Sequence, residues 1–148
     1  MTITLDFANA SGHPAPPATA FHRWIDRALA PLQPDAALAL RILDAPAMTA
    51  LNRRFRQQDK PTNVLAFPVE SAPPAALDHL GDIAICAALA ESEAQAQSKP
   101  LEAHYAHLSI HGALHLAGLD HADEPTAAHM EVLETQILQS LGFACPYS

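Results

Sequence analysis

The sequence predicts an α/β (α+β) fold, in which a mixed four-stranded sheet is packed with about five helices. Short apolar segments that suit strands are interleaved along the chain with longer segments whose apolar residues recur at helical spacing. Hydrophobic residues make up 49% of the 148 residues, which is enough apolar surface for one sizeable core. We therefore expect residues 1–148 to form a single domain.

Four segments are predicted as strands. The first alternates apolar and polar side chains, as a strand with one buried face does. The third contains Pro68, which cannot donate a hydrogen bond to a neighbouring strand and therefore suits the edge of a sheet. The predicted strands are residues 2–7, 36–43, 64–69 and 80–86.

Five helices are predicted between and after these strands, at residues 19–31, 44–56, 87–98, 101–117 and 125–141. Asp44 suits the N-cap of the second helix. Gly118 and Gly142 follow the fourth and fifth helices, where a glycine can adopt the left-handed conformation that ends a helix. The predicted buried stripe of the last helix consists of Met130, Leu133, Ile137 and Leu141. Loops are expected at 70–79 and 118–124.

Charge and cysteine content limit the class of protein. The net charge of −8 argues against a protein that coats nucleic acid through its overall charge. No apolar run approaches the roughly 20 residues that span a bilayer, and the N-terminus lacks the pattern of a secretory signal. Cys86 and Cys145 are the only cysteines, so a disulfide framework is not expected. A cytoplasmic protein with no membrane partner is the resulting expectation.

Three histidines stand at a spacing typical of a metal site. His111 and His115 are four residues apart, so on a helix they lie one above the other on one face. If Gly118 ends that helix, the chain can turn back and bring His121 to the same point. Three protein ligands and one open position describe a catalytic zinc site.

Three neighbours of this motif have two interpretations each. His107, one turn before His111, could hydrogen-bond a ligand or a substrate group, or simply line the cleft. Asp120 could orient a ligand imidazole, or cap its own loop. Asp82, at the start of a predicted strand, could orient a ligand from the sheet, or serve a turn.

The same histidine spacing occurs in the metzincin proteases, but one position differs. Those proteases carry a glutamate directly after the first histidine, where it acts as the general base. Here that position is Gly112. A protease mechanism of that kind is therefore excluded for want of its base.

The few cations are unevenly distributed. Four of the eight lysine and arginine residues fall within eight positions, namely Arg53, Arg54, Arg56 and Lys60. One interpretation is a solvated helix end, because cations are favoured near a helix C-terminus. The other is a local phosphate-binding site on an otherwise acidic chain.

Four segments of the chain carry distinctive motifs. The most specific are Arg-Gln-Gln-Asp-Lys-Pro-Thr-Asn-Val-Leu-Ala-Phe-Pro at 56–68 and His-Leu-Ser-Ile-His-Gly-Ala-Leu-His-Leu-Ala-Gly-Leu-Asp-His at 107–121. The others are Leu-Gly-Asp-Ile at 80–83 and Met-Glu-Val-Leu-Glu at 130–134. Together these motifs resemble the YbeY family of bacterial endoribonucleases and ribosomal RNA maturation factors. Ala66 and Leu119 depart from the family pattern, which usually has serine and tyrosine there.

The resemblance implies one Zn²⁺ per chain, held by His111, His115 and His121. It also implies that Arg56 is the catalytic residue associated with RNA cleavage. The expected substrate is single-stranded RNA, in maturation of small-subunit ribosomal RNA and in ribosome quality control, with the ribosomal small subunit as a partner and no action on DNA. Arg56 would pair with a phosphate through two parallel hydrogen bonds, and either water or the RNA 2′-hydroxyl would attack.

Two other functions stay open at this point. In the first, the metal is structural and the protein is a non-catalytic ribosome-assembly factor. In the second, the protein is a generic metal-dependent hydrolase of small substrates. A closed pocket without basic residues at its rim would favour the small-substrate hydrolase, and an open cleft with Arg56 near the histidines would favour RNA.

Overall fold

The computed structural model describes residues 3–33, 35–68, 79–118 and 124–146, with side chains from residue 128 onwards in the last range. Within those ranges the chain forms four strands and five helices, which confirms the predicted class. In chain order they are β1 (Thr4–Asn9), α1 (Ala18–Leu29), β2 (Ala37–Leu43), α2 (Ala45–Arg56), β3 (Val64–Pro68), β4 (His79–Cys86), α3 (Ala87–Ala96), α4 (Leu101–Leu116) and α5 (Glu124–Ser140).

The four strands form one mixed sheet in the order β1-β2-β4-β3. Strands β1, β2 and β4 are parallel to their neighbours, and β3 is antiparallel to β4. The strand that contains Pro68 therefore lies at an edge, as predicted, because a proline there leaves no donor missing inside the sheet. Its antiparallel partner at the end of the ladder is Gly81.

The two faces of the sheet pack against different helices, because successive side chains of a strand point to opposite faces. On one face, Ile83 and Ile85 belong to the main core, which includes the aromatic residues of α1 and most of α4. On the other face, Ala84 and Cys86 pack with Met48 of α2 in a smaller cluster. Cys86 is thus a buried residue with a free thiol.

Helix α4 is the most deeply buried helix in the described part of the chain. Ten of its sixteen residues are buried, which is typical of a helix at the centre of a domain. Gly112 lies where α4 crosses β4, and a Cβ atom at that position would be 3.0 Å from Cγ2 of Ile83. The absence of a side chain at Gly112 therefore lets α4 approach the sheet closely.

Two predicted helix boundaries are confirmed by their hydrogen bonds and backbone angles. The Asp44 side chain accepts a hydrogen bond of 2.9 Å from the backbone N–H of Ala47, at the start of α2. Gly118 follows α4 with φ +100°, a conformation that glycine adopts without a Cβ penalty. The chain thus leaves α4 directly after the second histidine of the predicted metal site.

One detail of the sequence prediction is wrong. Strand β1 runs from residue 4 to residue 9 rather than from 2 to 7, because residues 4–9 pair with β2. The predicted stripe of α5 packs against the main core, with Met130 buried and Leu133, Ile137 and Leu141 partly buried. In the part of α5 whose side chains are described, Glu134 and Leu138 are also buried. The predicted loops at 70–79 and 118–124 fall mostly outside the described residues.

The replacement Gly81→Ala should destabilise the fold more than Gly12→Ala. Both glycines have positive φ, at +145° and +78°, so each alanine is strained. Only at Gly81 would the new Cβ also meet an atom, the carbonyl oxygen of Phe67, at 2.1 Å. We expect Gly81→Ala to cost about 1–3 kcal/mol more in the free energy of unfolding, measured by urea titration. An equal loss of unfolding free energy in the two variants would show that the contact with the Phe67 carbonyl does not add to the cost of an alanine at position 81.

Candidate active site

Four histidines form a row along one side of α4. They are spaced three or four residues apart, so the helical period brings them to the same side. Neighbouring ring centroids are 6.2, 6.5 and 4.8 Å apart along the row. From the N-terminal end the row consists of His104, His107, His111 and His115. The sequence prediction for His111 and His115 thus agrees with where the structure places them, one turn apart and next to each other.

The third predicted ligand, His121, lies outside the described residues, as do Asp120 and Leu119. Within the described part of the chain, no group of three or more histidine, cysteine or acidic side chains is arranged to hold a metal ion. His111 and His115 are therefore the described portion of the predicted ligand set. Their segment ends at Gly118, three residues before His121.

Glu134 of α5 joins two histidines of the row. Its side chain is only 1% exposed. One carboxylate oxygen, Oε1, lies 2.7 Å from Nε2 of His107, and the other, Oε2, lies 2.8 Å from Nδ1 of His111. The carboxylate of Glu134 therefore links His107 and His111, because each histidine contacts a different oxygen of the same group.

Sequence reasoning did not single out Glu134 as a functional residue. A signal was nevertheless present, because Glu134 lies one turn from Met130 and one turn from Leu138 on the buried side of α5. An acidic residue in an apolar stripe requires a partner, since a buried carboxylate without hydrogen bonds is costly. The partner could have been sought among the histidines of the neighbouring helix.

A second carboxylate, Glu93 of α3, holds the other end of the row. It accepts a hydrogen bond from Nδ2 of Asn63, with distances of 3.1 and 3.3 Å to its two oxygens, and lies 2.7 Å from Nε2 of His104. Asn63 directly precedes β3, and its carbonyl accepts from the N–H of Cys86 at 2.9 Å. Glu93 thus connects three elements around the row.

Arg56 faces the same cavity as the two described metal-ligand candidates. It is the last residue of α2, which ends at Gln57 with φ 56°. Its exposed side chain lines a cavity of about 210 Å³ together with His111, His115 and Asn63. The structure therefore brings together residues that are more than fifty positions apart in the sequence.

This cavity adjoins a larger, open one of about 800 Å³. Arg56 and Asn63 line both, and Lys60 and Glu93 line the larger one. A hydrogen bond fixes the turn that carries Lys60 to α2, because Nδ2 of the buried Asn52 donates to the Lys60 carbonyl at 2.9 Å. A cleft thus leads from the histidines past Arg56 and along the turn after α2.

The four clustered cations do not act as one patch. Arg53 pairs with the carboxylate of Asp59. The guanidinium of Arg54 lies over the ring of Phe55, 5.2 Å from its centroid. Only Arg56 and Lys60 line the cleft. Three of these cations, Arg53, Arg54 and Arg56, lie in the last turn of α2, as the helix-end interpretation predicts, and the phosphate-site interpretation stays a prediction for Arg56 and Lys60.

The sheet bears on the predicted roles of two further residues, Gly112 and Asp82. Gly112 packs against Ile83, so a glutamate base at that position would also collide with the sheet. Asp82 points to the opposite face of β4, where it lines a groove with Phe55 and is 3.7 Å from His79. Asp82 therefore lies on the face of β4 away from the histidines of α4, and its possible role towards His121 concerns a residue outside the described part of the chain.

A row of imidazoles beside an exposed arginine in an open cleft is an arrangement suited to cleavage of a phosphodiester. Imidazole nitrogens can hold a Lewis-acidic metal, and a guanidinium matches the geometry of a phosphate. The class defined by the fold and the cleft is thus a candidate hydrolase of phosphate esters.

Comparison with known families identifies the chain further. Residues 8–142, nearly the whole chain, match the family described as Endoribonuclease YbeY. The chain belongs to this family, which confirms the resemblance seen in its motifs. Membership supports an endoribonuclease, a hydrolase of RNA that takes part in ribosomal RNA maturation.

A solved structure is similar to this fold. The chain resembles the solution structure of TM1509 from Thermotoga maritima with a TM-score of 0.60 and 21% sequence identity, over 95% of this chain and 92% of that chain. At this identity the likeness shows the fold alone. Within the described ranges, no helix has both the length and the apolar character needed to cross a membrane.

Burial of His104 predicts a pH dependence of stability. Burial is the main cause that lowers its pKa below the ordinary 6.5, although the hydrogen bond with Glu93 opposes the shift. The unfolded chain therefore binds this proton more readily, so the stability contributed by neutral His104 is complete above 6.5 and decreases as the pH falls towards the lowered value. Urea midpoints between about pH 7.5 and 5.5 should fall less steeply in His104→Gln than in wild type. Removal of an exposed histidine in His129→Gln is the control, and an equal slope in wild type and His104→Gln would contradict the prediction.

Proposed function

We propose that this chain is a zinc-dependent, single-strand-specific endoribonuclease that acts in small-subunit ribosomal RNA maturation and ribosome quality control. Residues 1–148 would work as one domain in the cytoplasm, with precursor ribosomal RNA as substrate and the ribosomal small subunit as partner. The observation that carries the proposal is that Arg56 lines the same cavity as His111 and His115.

The described histidines fit a zinc ion. His111 contacts Glu134 through Nδ1, so a metal bond from its ring would be made by Nε2. The ring of His115 stands 4.8 Å from that of His111, at an interplanar angle of 68°. His121 is proposed as the third ligand, because the chain turns away from α4 at Gly118. A zinc ion with three protein ligands and one open position supplies Lewis acidity at a phosphoryl oxygen and makes water a stronger nucleophile near neutral pH.

Arg56 is proposed to bind the scissile phosphate and to stabilise the charge that grows on it. Its guanidinium can donate two parallel hydrogen bonds to two phosphate oxygens. Lys60 lines the continuation of the cleft and would attract the next part of the RNA backbone. Two cations in one cleft allow an acidic protein of net charge −8 to bind a polyanion locally.

The shape of the cleft favours RNA over a small substrate. A hydrolase of small molecules would be expected to enclose its substrate in an apolar pocket with few polar groups. Here the cavity beside the histidines has Arg56 on its wall and opens onto a larger surface cleft that includes Lys60. A flexible single strand of RNA can place one phosphate in the cavity of about 210 Å³ while the adjacent nucleotides lie along the larger open cleft.

The replacement Arg56→Ala should abolish most RNA cleavage while zinc stays bound. Loss of one charge-stabilising donor typically lowers kcat by about 10²–10³-fold, and Arg56 makes none of the described contacts of the histidines. Arg54→Ala is the matched control, because it removes the same charge from the same helix end but outside the cleft.

Initial rates on a defined single-stranded RNA and its duplex should be compared for both variants, with zinc content measured in the same samples. Arg54→Ala should retain wild-type kcat. Equal cleavage by Arg56→Ala and wild type would sink the proposed role of the arginine. Cleavage of the duplex at the rate of the single strand would sink the proposed specificity.

Single replacements of the proposed ligands should lower the zinc content of the purified protein. His111→Ala, His115→Ala and His121→Ala each remove one of three bonds, and removal of bound zinc with a chelator should stop RNA cleavage in the wild type. His129→Ala, at an exposed position of α5, is the control and should keep one zinc per chain. Full zinc occupancy in all three ligand variants, measured by elemental analysis, would place the metal elsewhere.

A further inference from the structure

We propose that Glu134 is a positioning residue, whose buried carboxylate fixes the ring of His111 so that Nε2 faces the metal. This role rests on the proposed function in one respect, because it requires a metal ion at His111. It assigns to α5 a part in the site, although no proposed metal ligand or phosphate-binding residue comes from that helix.

The hydrogen bonds of Glu134 select one tautomer of His111. An ionised carboxylate can only accept hydrogen bonds, so the nitrogen that faces each of its oxygens must carry the hydrogen. Nδ1 of His111 lies 2.8 Å from Oε2 and is therefore the protonated nitrogen. In the neutral ring the lone pair then lies on Nε2, away from the carboxylate, and this nitrogen would hold a metal ion.

His107 holds the carboxylate in the orientation that this selection requires. Its Nε2 donates to Oε1 at 2.7 Å, so both oxygens of Glu134 are occupied by donors from α4. A carboxylate that is bound through one oxygen can rotate about its last torsion, whereas two bonds to two separate rings fix its plane. His107 thus contributes to the position of His111 through the carboxylate that they share.

Burial makes this arrangement effective. The side chain of Glu134 is 1% exposed, whereas that of His111 is 21% exposed and lines the cavity that Arg56 also lines. Water competes poorly for a hydrogen bond that is buried in this way. A cation on the accessible side of His111 also offsets the cost of keeping a negative charge inside the protein.

The competing explanation is that Glu134 only joins α5 to α4. In that case its loss would weaken the fold of the metal-free protein but leave the zinc affinity of the folded protein unchanged. The two explanations differ in zinc affinity, which can be measured without RNA. A failure of the proposed nuclease activity would therefore leave this measurement intact, and a failure of the positioning role would leave the nuclease activity untouched.

The test compares Glu134→Gln with Glu131→Gln in the full chain. Glutamine has nearly the same shape as glutamate, but its amide group donates where a carboxylate oxygen accepted, so the two facing imidazole nitrogens can no longer both be donors. Glu131 is exposed and lies one turn earlier on α5, so Glu131→Gln makes the same charge change away from the histidines. Glu134→Asp keeps the charge but shortens the side chain.

Zinc dissociation constants should be measured by competition with a chromophoric chelator and corrected for the folded fraction of each metal-free protein. The visible spectrum of the cobalt-loaded protein reports the geometry of the ligands in the same samples. We expect Glu134→Gln to bind zinc about 10–100-fold more weakly than wild type, with an altered cobalt spectrum, and Glu134→Asp to be intermediate. Glu131→Gln should match wild type in both.

Zinc affinities of Glu134→Gln and wild type that agree within about threefold, with the same cobalt spectrum, would overturn the positioning role. If Glu134→Gln does not fold without metal, Glu134→Asp decides by the same measurement, since it retains a carboxylate between the two histidines. Unchanged zinc affinity in a folded Glu134→Asp would then contradict the proposal.

Discussion

The close packing of α4 against β4 is the constraint on which the rest of the structure depends. A Cβ atom at Gly112 would lie 3.0 Å from Cγ2 of Ile83, so the glycine lets α4 pack tightly against the sheet. After its first turn, between His104 and Leu116, the helix keeps only His107, His111 and His115 partly accessible. The contact that stabilises the fold thus also decides which residues can reach a substrate, and the same contact removes the position that a protease would use for its base.

Two carboxylates link α4 to its neighbouring helices. Glu93 of α3 accepts from His104 at one end of the row, and Glu134 of α5 accepts from His107 and His111 in the middle. The buried carboxylate of Glu134 would be costly alone, but both of its oxygens are paired with imidazole nitrogens. The packing of three helices and the orientation of the histidines are therefore one arrangement, in which the edge strand β3 participates through Asn63.

Local signals in the sequence predict much of the fold and some of the residues that line the cleft. The cap at Asp44, the edge position of the strand with Pro68 and the helix end at Gly118 each follow from the chemistry of one residue. The role of Glu134 could not be predicted in this way, because its partner His111 is 23 residues away on another helix. The sequence also could not predict which arginine of the cluster lines the cleft, since this depends on the direction of each side chain at the end of α2. Spacing predicts which residues share a helix face, but not which of several adjacent cations meets a cleft formed by other elements.

We propose that one zinc ion binds at the end of α4, through Nε2 of His111 and on the side of Arg56. The most direct test is a crystal structure of the zinc-loaded protein with anomalous diffraction recorded at the zinc absorption edge. We expect a single peak that is bonded to Nε2 of His111, to His115 and to His121, with Glu134 still in contact with Nδ1 of His111. A peak at any other position, or a bond from Nδ1 of His111 with Glu134 displaced, would contradict the claim.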